Sequence, residues 1–337
     1  MIREGIQAVV SGQHLTEAEA SAVMTEIMEG NATPAQIAAF IIGLRMKGET
    51  VEEITGCARV MRDKATFIRT PEGSTPVDTA GTGGDGAYTF NISTTAAFVA
   101  AGAGVVMAKH GNRAASSSCG SADLLEALGI NIAPEPTLIE TAIRKVGIGF
   151  LFAAALHGAM RHAIGPRREI GVRTIFNVLG PLTNPAHARH QLVGVYDGSL
   201  TAVLARVLHN LGTKRAFVVH GSDGLDEITT TGPTTVSELR GGTVETYTIH
   251  PSDFGLPTNR PEDLRGSDAR FNADLTLRLL RGEDLPQRGI VLLNAAAAIA
   301  AGTEDKTIAA CLPLAQQALD SGQALAKLEQ LRELTPR

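Results

Sequence analysis

From Thr75 onward, short apolar segments bounded by glycine alternate with segments long enough to form helices. The predicted strands are residues 77–80, 105–108, 191–195, 217–220 and 243–249, and the predicted helices are residues 94–103, 121–128, 137–146 and 201–211. This alternation is typical of βαβ units, in which parallel strands form one sheet and helices cover its faces. The sequence therefore predicts an α/β fold with a mostly parallel sheet flanked by helices.

The N-terminal part of the chain has a different pattern, with three helix-start signals. Capping boxes lie at Thr16–Glu19, Thr33–Gln36 and Thr50–Glu53, and each precedes a run of apolar residues with helical spacing. These signals predict a smaller all-α N-terminal domain over residues 1–72 and an α/β domain over residues 73–337. Because the apolar faces are more numerous than four short helices need, we expect a dimer contact through them.

The composition excludes several classes of protein. The chain has 337 residues, a net charge of −5 and a pI near 6.0, which argue against nucleic acid or a membrane surface as partners. Three scattered cysteines, Cys57, Cys119 and Cys311, are too few for a disulfide framework or a zinc site and favour the reducing cytoplasm. The N-terminus lacks the apolar core of a secretion signal, and the longest apolar run, residues 290–301, predicts a buried helix rather than a membrane span.

A glycine-rich segment follows the first predicted strand. It reads Asp78-Thr-Ala-Gly81-Thr-Gly83-Gly84-Asp85, and no acidic residue occurs again until Asp123. Glycines let backbone amides approach an anion closely, and a helix start at Asn91 adds hydroxyls and further amides, so the segment predicts a phosphate site. The glycine spacing also matches the G-x-G-x-x-G pattern of dinucleotide-binding folds. We reject that alternative because no acid follows about 20 residues later and the glycines do not open the helix.

Cations and hydroxyls follow the second predicted strand. The segment reads Lys109-His-Gly-Asn-Arg113, and Ser116-Ser-Ser118 and Ser121 precede the next helix. A cation with hydroxyls at a helix N-terminus makes a second anion site, and two such sites on adjacent strand ends predict a ligand with phosphate at both ends. The histidine of this segment, His110, is expected to be structural.

Carboxylates follow a third predicted strand, at Asp223, Asp226 and Glu227. Next to phosphates, adjacent carboxylates are suited to hold Mg²⁺, and Ser93 can supply a hydroxyl ligand. An acidic turn with a helix cap is the alternative. A basic cluster at residues 157–173 either forms a solvated helix face or offers a bidentate arginine to a planar carboxylate, and the residues do not choose between these two roles.

Together these motifs resemble the anthranilate phosphoribosyltransferase family over nearly the whole chain. The resemblance rests on Gly81-Thr-Gly-Gly-Asp85, Asn91-Ile-Ser-Thr94, Lys109-His-Gly-Asn-Arg113, Gly120-Ser-Ala-Asp123, Arg173-Thr-Ile-Phe-Asn177, Gly180-Pro-Leu-Thr-Asn-Pro185, Asp223-Gly-Leu-Asp-Glu227 and Val291-Leu-Leu-Asn-Ala295. It implies transfer of the phosphoribosyl group of phosphoribosyl pyrophosphate (PRPP) to the amine of anthranilate, with release of pyrophosphate, in tryptophan biosynthesis. It also implies that helices around 165–185 join the N-terminal helices in space, that the protein is a homodimer through those helices, and that each monomer uses two Mg²⁺ ions.

The same resemblance implies the residues of the site. Those around PRPP would be Gly81, Gly84, Asp85, Thr89, Asn91, Ile92, Ser93, Thr94, Lys109, His110, Gly111, Asn112, Arg113, Ala114, Ala115, Ser116, Ser117 and Ser121. Anthranilate would contact Gly81, Asn112 and Arg167, with Arg167 facing its carboxylate. The magnesium ligands would be Ser93, Asp226 and Glu227. The chain departs from the family pattern at Gly158, where His-Pro is common, and at Ser118-Cys119.

The implied chemistry has two alternatives. Displacing pyrophosphate from C1 of ribose builds negative charge on the leaving group, which Mg²⁺ would stabilise. The lone pair of an aromatic amine is already free, so no covalent nucleophile and no essential general base is assigned. A pyrimidine nucleoside phosphorylase-like enzyme also acts at C1 of ribose but has no need for Asp226 with Glu227. A non-catalytic, nucleic-acid-binding paralogue is expected to lose that acidic pair and gain basic surface.

Overall fold

The computed structural model describes residues 1–114, 118–303 and 305–336, which form one seven-stranded sheet with helices on both faces. The strands are β1 (Val77–Gly81), β2 (Met107–Gly111), β3 (Ile148–Phe152), β4 (His190–Gly194), β5 (Arg215–Gly221), β6 (Thr234–Arg240) and β7 (Thr243–Ile249). Their order is β3-β2-β1-β4-β5-β6-β7; the first five are parallel, and β6 and β7 are antiparallel. The predicted fold class, a mostly parallel sheet with a helical N-terminal part, is confirmed.

The strand order places a crevice between β1 and β4. The chain runs outward from β1 to β2 and β3 and then returns to the other side of β1 to form β4, where Gly81 pairs with Gly194. The loops after β1 and β4 therefore diverge to opposite faces. In open α/β sheets, ligands bind at such a switch point, outside the carboxyl ends of the strands.

The N-terminal helices are α1 (Ile2–Val10), α2 (Glu17–Met28), α3 (Pro34–Lys47) and α4 (Val51–Asp63). All three predicted capping boxes are confirmed. The hydroxyls of Thr16, Thr33 and Thr50 each accept a hydrogen bond of 3.3 Å from the amide three residues later, and the side chain at that later position accepts from the threonine amide. Each box satisfies two amide donors that have no partner inside the helix, so the three helix starts are set locally.

The other helices are α5 (Ile92–Gly102), α6 (Ser121–Ala127), α7 (Pro136–Val146), α8 (Ala153–Leu156), α9 (Arg161–Ile170), α10 (Phe176–Leu182), α11 (Leu200–Asn210), α12 (Ala269–Leu280), α13 (Arg288–Ala301), α14 (Ile308–Asp320) and α15 (Gln323–Leu334). Short 3₁₀ turns span Gly158–Met160, Pro251–Phe254 and Pro261–Leu264. On one face of the sheet, α5 and α13 are the buried layer, which confirms the helix predicted over 290–301. On the other face, α9, α10 and α11 share a core with α1–α4. No helix in the described part of the chain is long and apolar enough to cross a membrane.

Two strands were not predicted and one was misplaced. β3 follows α7 after a single residue, Gly147, so no turn sequence separates the strand from the helix. β6 reads Thr-Thr-Val-Ser-Glu-Leu-Arg, and its polar residues do not give the apolar pattern that predicts a strand. In the structure it pairs with β7 and contacts α11. The strand predicted over 105–108 lies at Met107–Gly111 and therefore includes Lys109 and His110.

Candidate functional site

The loop after β1 and the loop after β5 meet at the carboxyl edge of the sheet. The amide of Gly83 donates a 2.7 Å hydrogen bond to Oδ2 of Asp226. A β-carbon built on Gly81 would come within 2.3 Å of the same Asp226 oxygen, and one built on Gly194 would collide with the Asp226 backbone. Asp226 thus lies across the ends of β1 and β4, and glycine at both positions makes room for it. The glycine-rich segment predicts that Gly81 lets an anionic ligand approach closely; in the structure, the carboxylate that Gly81 makes room for is that of Asp226.

Three carboxylates, those of Asp85, Asp226 and Glu227, share this edge. Burial, followed by the negative charge of Asp85, raises the pKa of Asp226 above its ordinary value. Burial and the negative charge of Asp226 raise the pKa of Glu227 as well. Burial and a neighbouring carboxylate therefore disfavour the ionised forms of both side chains, and a divalent cation at this edge would stabilise those forms.

The donor set at this edge consists of hard oxygen atoms. Glu227 Oε1 accepts a 3.1 Å hydrogen bond from the amide of Ser93, so the Ser93 side chain and the Glu227 carboxylate belong to one local group. In residues 1–114, 118–303 and 305–336, no three His, Cys, Asp or Glu side chains by themselves form a group that could hold a metal ion. A Mg²⁺ ion that keeps water and substrate phosphate among its ligands needs no such group, because one or two carboxylates are sufficient.

Lys109 lies beneath these loops and not on an exposed surface. Its side chain is only 3% exposed, and Nζ donates to the carbonyl of Thr79 and lies 3.4 Å from Oγ of Ser93. Burial lowers the pKa of Lys109, and the charges of Asp78, Glu227 and Asp226 act in the opposite direction. Lys109 is therefore a buried counter-ion for Asp78, Glu227 and Asp226. The sequence placed Lys109 in the loop after the second strand, whereas it lies within β2.

The segment after β2 is closed by a carboxylate, Asp123. Asp123 accepts hydrogen bonds from the amides of Ala114 (3.0 Å) and Gly120 (2.9 Å) and from Nη1 of Arg113 (2.8 Å). Arg113 also pairs with Glu126 at 2.6 Å. Arg113, which was predicted to bind an anion, and two amides of the same segment are thus paired within the protein. The missed signal was the acidic residue three positions after Gly120, which is the spacing of a capping box.

His110 and His157 form a buried pair next to this segment. Their Nε2 atoms are 3.2 Å apart, and the amide of His110 donates to Oδ1 of Asp78 at 2.9 Å. Burial lowers the pKa of His110 to about 3 and that of His157 to about 4, so both rings are neutral at physiological pH. Burial raises the pKa of Asp78 to about 6. His157 and Asp78 received no role from the sequence, although both lie within segments that it singled out.

The basic cluster supplies two arginines near the crevice. Arg167, on α9, is half-buried; its Cζ lies 4.9 Å from the centre of the Phe176 ring, and burial lowers its pKa. Arg173, between α9 and α10, donates to the carbonyl of Gly84 and stacks on Tyr196. No ion pair of Arg167 and no contact of Arg167 with Gly81 or Asn112 is present in the described residues, so the predicted anthranilate contacts stay predictions.

The remaining predicted PRPP residues fall into three groups. In the loop before α5, Thr89 forms an isolated antiparallel β-bridge with Arg265. The side-chain amide of Asn91, at the start of α5, donates to the carbonyl of Cys119 at 3.0 Å. Ile92 and Thr94 are buried. Gly111 and Ser121 lie at the end of β2 and the start of α6; Oγ of Ser121 donates to the carbonyl of Asn112 at 3.1 Å. Ala115, Ser116 and Ser117 lie outside the described residues.

Comparison with known proteins agrees with this architecture. Residues 3–65 match the helical bundle domain of the glycosyl transferase family, and residues 73–325 match the a/b domain of the same family. An anthranilate phosphoribosyltransferase of Geobacter sulfurreducens is 56% identical over 348 aligned positions that cover 99% of each chain. The fold, the site at the switch point and these matches define the class of the protein as a glycosyl transferase.

Two solved structures narrow the class. The anthranilate phosphoribosyltransferase of Thermus thermophilus superposes with a TM-score of 0.93 at 42% identity and 98% coverage of both chains. The Saccharomyces cerevisiae enzyme, solved in complex with PRPP and Mg, superposes with a TM-score of 0.89 at 26% identity, covering 99% of this chain and 97% of that one. The chain belongs to the anthranilate phosphoribosyltransferase family.

Proposed function

We propose that this chain transfers the phosphoribosyl group of PRPP to the amine of anthranilate and releases pyrophosphate, a step of tryptophan biosynthesis. The observation that carries the proposal is the meeting of Gly83, Ser93 and Lys109 with the acidic pair Asp226 and Glu227 at the switch point. Full-length identity above one half to a curated relative with this activity supports the same conclusion.

PRPP would lie along the carboxyl ends of β1, β2 and β5. Its pyrophosphate would face the glycine loop (residues 81–86) and the first turn of α5, where the amide of Ser93 donates to Glu227. The binding residues that we propose remain Gly81, Gly84, Asp85, Thr89, Asn91–Thr94, Lys109–Ala114 and Ser121, with Ala115–Ser117 completing the segment. Lys109 contributes as a buried charge beneath the ligand, and Arg113, whose Nη1 is paired with Asp123 and Glu126, contributes through its other N–H groups.

The residues present fit a magnesium site. Asp226, Glu227 and Ser93 would hold Mg²⁺, since they supply hard oxygen ligands and the two carboxylates have raised pKa values in the protein alone. We extend the proposal to two ions per monomer, because Asp85 adds a third carboxylate beside Asp226 and Glu227 at this edge. When bound, Mg²⁺ supplies positive charge that stabilises the pyrophosphate leaving group.

Anthranilate would lie between the helical face and the segment after β2, in contact with Gly81, Asn112 and Arg167. Arg167 is half-buried, and the burial that lowers its pKa leaves a guanidinium that gains by pairing with a carboxylate. The planar fork of arginine matches a carboxylate through two parallel hydrogen bonds.

The chain acts mainly by positioning and electrostatics. No side chain is assigned as a covalent nucleophile, and burial raises the pKa of the Cys119 thiol to about 11, so that group stays protonated at neutral pH. The amine of anthranilate attacks C1 of the ribose as pyrophosphate leaves, and alignment of the two substrates across the crevice supplies much of the rate.

A substrate comparison tests the function. Pyrophosphate release from PRPP is measured with and without anthranilate, and phosphorolysis of thymidine and uridine is measured in parallel. We expect anthranilate-dependent release of pyrophosphate and no phosphorolysis. Phosphorolysis without anthranilate-dependent release would establish the phosphorylase alternative. Binding of nucleic acid without either activity would establish the non-catalytic paralogue.

Two further properties belong to the proposal. We propose a homodimer through the N-terminal helices, supported by the exposed apolar side chains of Val10 at the end of α1 and Met46 on α3, two helices that pack together. Light scattering of wild type and Met46→Glu tests it, and a monomeric wild type would contradict it.

We also propose a cytoplasmic location, supported by three buried thiols that form no disulfide, at Cys57, Cys119 and Cys311.

A further inference from the structure

Arg173 links the glycine loop to a different part of the protein. It lies in the short segment between α9 and α10, and its guanidinium donates a hydrogen bond to the backbone carbonyl of Gly84. The Cζ atom of Arg173 lies 4.3 Å from the centre of the Tyr196 ring, which follows β4. The guanidinium is thus held on one side by an aromatic face while its N–H groups reach the loop.

The glycine loop depends on such contacts for its position. Gly83, Gly84 and Gly86 all have positive φ angles (63°, 76° and 72°), and glycine loses more conformational entropy on ordering than any other residue. Contacts from the sheet fix the start of the loop, where the Thr82 amide donates to the carbonyl of Gly194 at 3.0 Å. The contact of Arg173 with Gly84 lies farther along, where the loop has left the sheet.

The segment that bears Arg173 belongs to the helical side of the molecule. Ala163 of α9 and Phe176 of α10 are buried in the same core as Phe40 and Ile41 of α3. Gly84 follows β1, and Tyr196, which follows β4, packs against that same core. Arg173 therefore connects the glycine loop to the core that the helical bundle, α9, α10 and Tyr196 share.

We propose that Arg173, held by the ring of Tyr196, is a positioning residue that fixes the glycine loop for the pyrophosphate end of PRPP and couples the loop to the helical bundle. The identity of the ligand in this inference rests on the proposed function. The effect of Arg173 on the order of the glycine loop does not depend on it. Arginine suits this role because a planar guanidinium can stack on a ring and donate at its edge at once, whereas a lysine ammonium cannot.

The first experiment measures the loop without any ligand. Hydrogen–deuterium exchange of a peptide covering residues 82–88 is compared in wild type, Arg173→Ala, Arg173→Lys and Tyr196→Leu. We expect faster exchange in all three variants, with lysine only partly restoring protection. Tyr196→Phe, which keeps the ring, and Arg144→Ala, which removes an exposed arginine on α7, are the controls and should exchange like wild type.

The second experiment measures the ligand. Calorimetric titration with inorganic pyrophosphate and Mg²⁺ should give a Kd about tenfold weaker for Arg173→Ala, a size appropriate to one charge-assisted hydrogen bond. The KM for PRPP should rise by a similar factor while the KM for anthranilate stays unchanged. A residue with only a structural role would lower the melting temperature without separating the two KM values.

The outcomes separate the inference from the proposed function. Wild-type exchange of residues 82–88 in Arg173→Ala, together with a wild-type Kd for pyrophosphate, would overturn the positioning role. A wild-type protein that does not bind pyrophosphate would contradict the proposed function, and the exchange comparison would then still decide whether Arg173 orders the loop. If Arg173→Ala does not fold, Arg173→Lys and Tyr196→Leu decide the question on the same two readouts.

Discussion

Replacing Gly81 by alanine adds one methyl group beside Asp226 and so tests the position of that carboxylate. The added methyl would lie 2.3 Å from Oδ2 of Asp226, whereas ordinary contacts begin near 3.4 Å, so the carboxylate must move by about 1 Å. A displacement of about 1 Å in a catalytic constellation can reduce the rate on the order of 100-fold. We therefore expect kcat/KM for Mg²⁺-dependent pyrophosphate release to fall about 100-fold.

The stability of this variant should change much less than its activity. The atom that must give way is the end of a side chain at the edge of the sheet, so the expected cost is at the low end of overpacking, about 1 kcal/mol in urea unfolding. Gly194→Ala is the contrasting variant, because its methyl would meet the backbone carbonyl of Asp226 and cannot be accommodated by a side-chain rotation. Gly289→Ala on α13 is the neutral control, since its methyl would make only contacts of 3.9 Å or more.

A double-mutant cycle identifies the cause of the loss. If Gly81→Ala acts through Asp226, the variant carrying both Gly81→Ala and Asp226→Asn should be no less active than Asp226→Asn alone. Full additivity would mean that the methyl instead blocks a substrate. Wild-type kcat/KM in Gly81→Ala would refute the reasoning, because Asp226 could then not be held where the structure places it.

Three other variants test separate parts of the account. Asp226→Asn combined with Glu227→Gln should abolish Mg²⁺-dependent turnover while the fold survives, which far-UV circular dichroism checks; the melting temperature should fall, because the buried Lys109 loses two of the negative charges beside it. Retained activity would exclude the metal role. Arg167→Ala should raise the KM for anthranilate about tenfold or more with little change in the KM for PRPP, and Arg168→Ala, exposed on the same helix, should change neither. In the folded state the pKa of His157 is about 4, whereas in the unfolded chain it is 6.5. As the pH falls below 6.5, the unfolded chain therefore binds a proton that the folded state does not, and the free energy of unfolding decreases by about 2 kcal/mol at pH 5. His157→Gln should flatten that part of the urea-unfolding profile, and an unchanged slope between pH 6.5 and about 5 would contradict the buried neutral ring.

Local signals in the sequence predicted the parts of the fold that are determined locally. The capping boxes at Thr16, Thr33 and Thr50 satisfy amides within four residues, so they need no tertiary partner. The buried helix α13 is apolar on all sides and has no other stable environment. β3 and β6 lacked such signals, and they are strands because neighbouring strands pair with them.

The sequence predicted that the segments after β1, β2 and β5 come together, and not the contacts among their residues. Gly81 is glycine because of Asp226, 145 positions later, and no local pattern contains that relation. Lys109 is buried because its strand begins two residues later than predicted, and the direction of its side chain follows from the strand. Asp123 was treated as the end of an acid-free segment, whereas it closes the loop by accepting from Arg113 and two amides.

Calorimetric titration of PRPP into the wild type and into Asp226→Asn with Glu227→Gln, each with and without Mg²⁺, tests the central claim most directly. We expect Mg²⁺ to strengthen the binding of PRPP to the wild type and to have no such effect on the double variant. Equal affinities in all four titrations, or no heat of binding in any of them, would contradict a site in which the loops after β1, β2 and β5 together hold a magnesium-bound diphosphate.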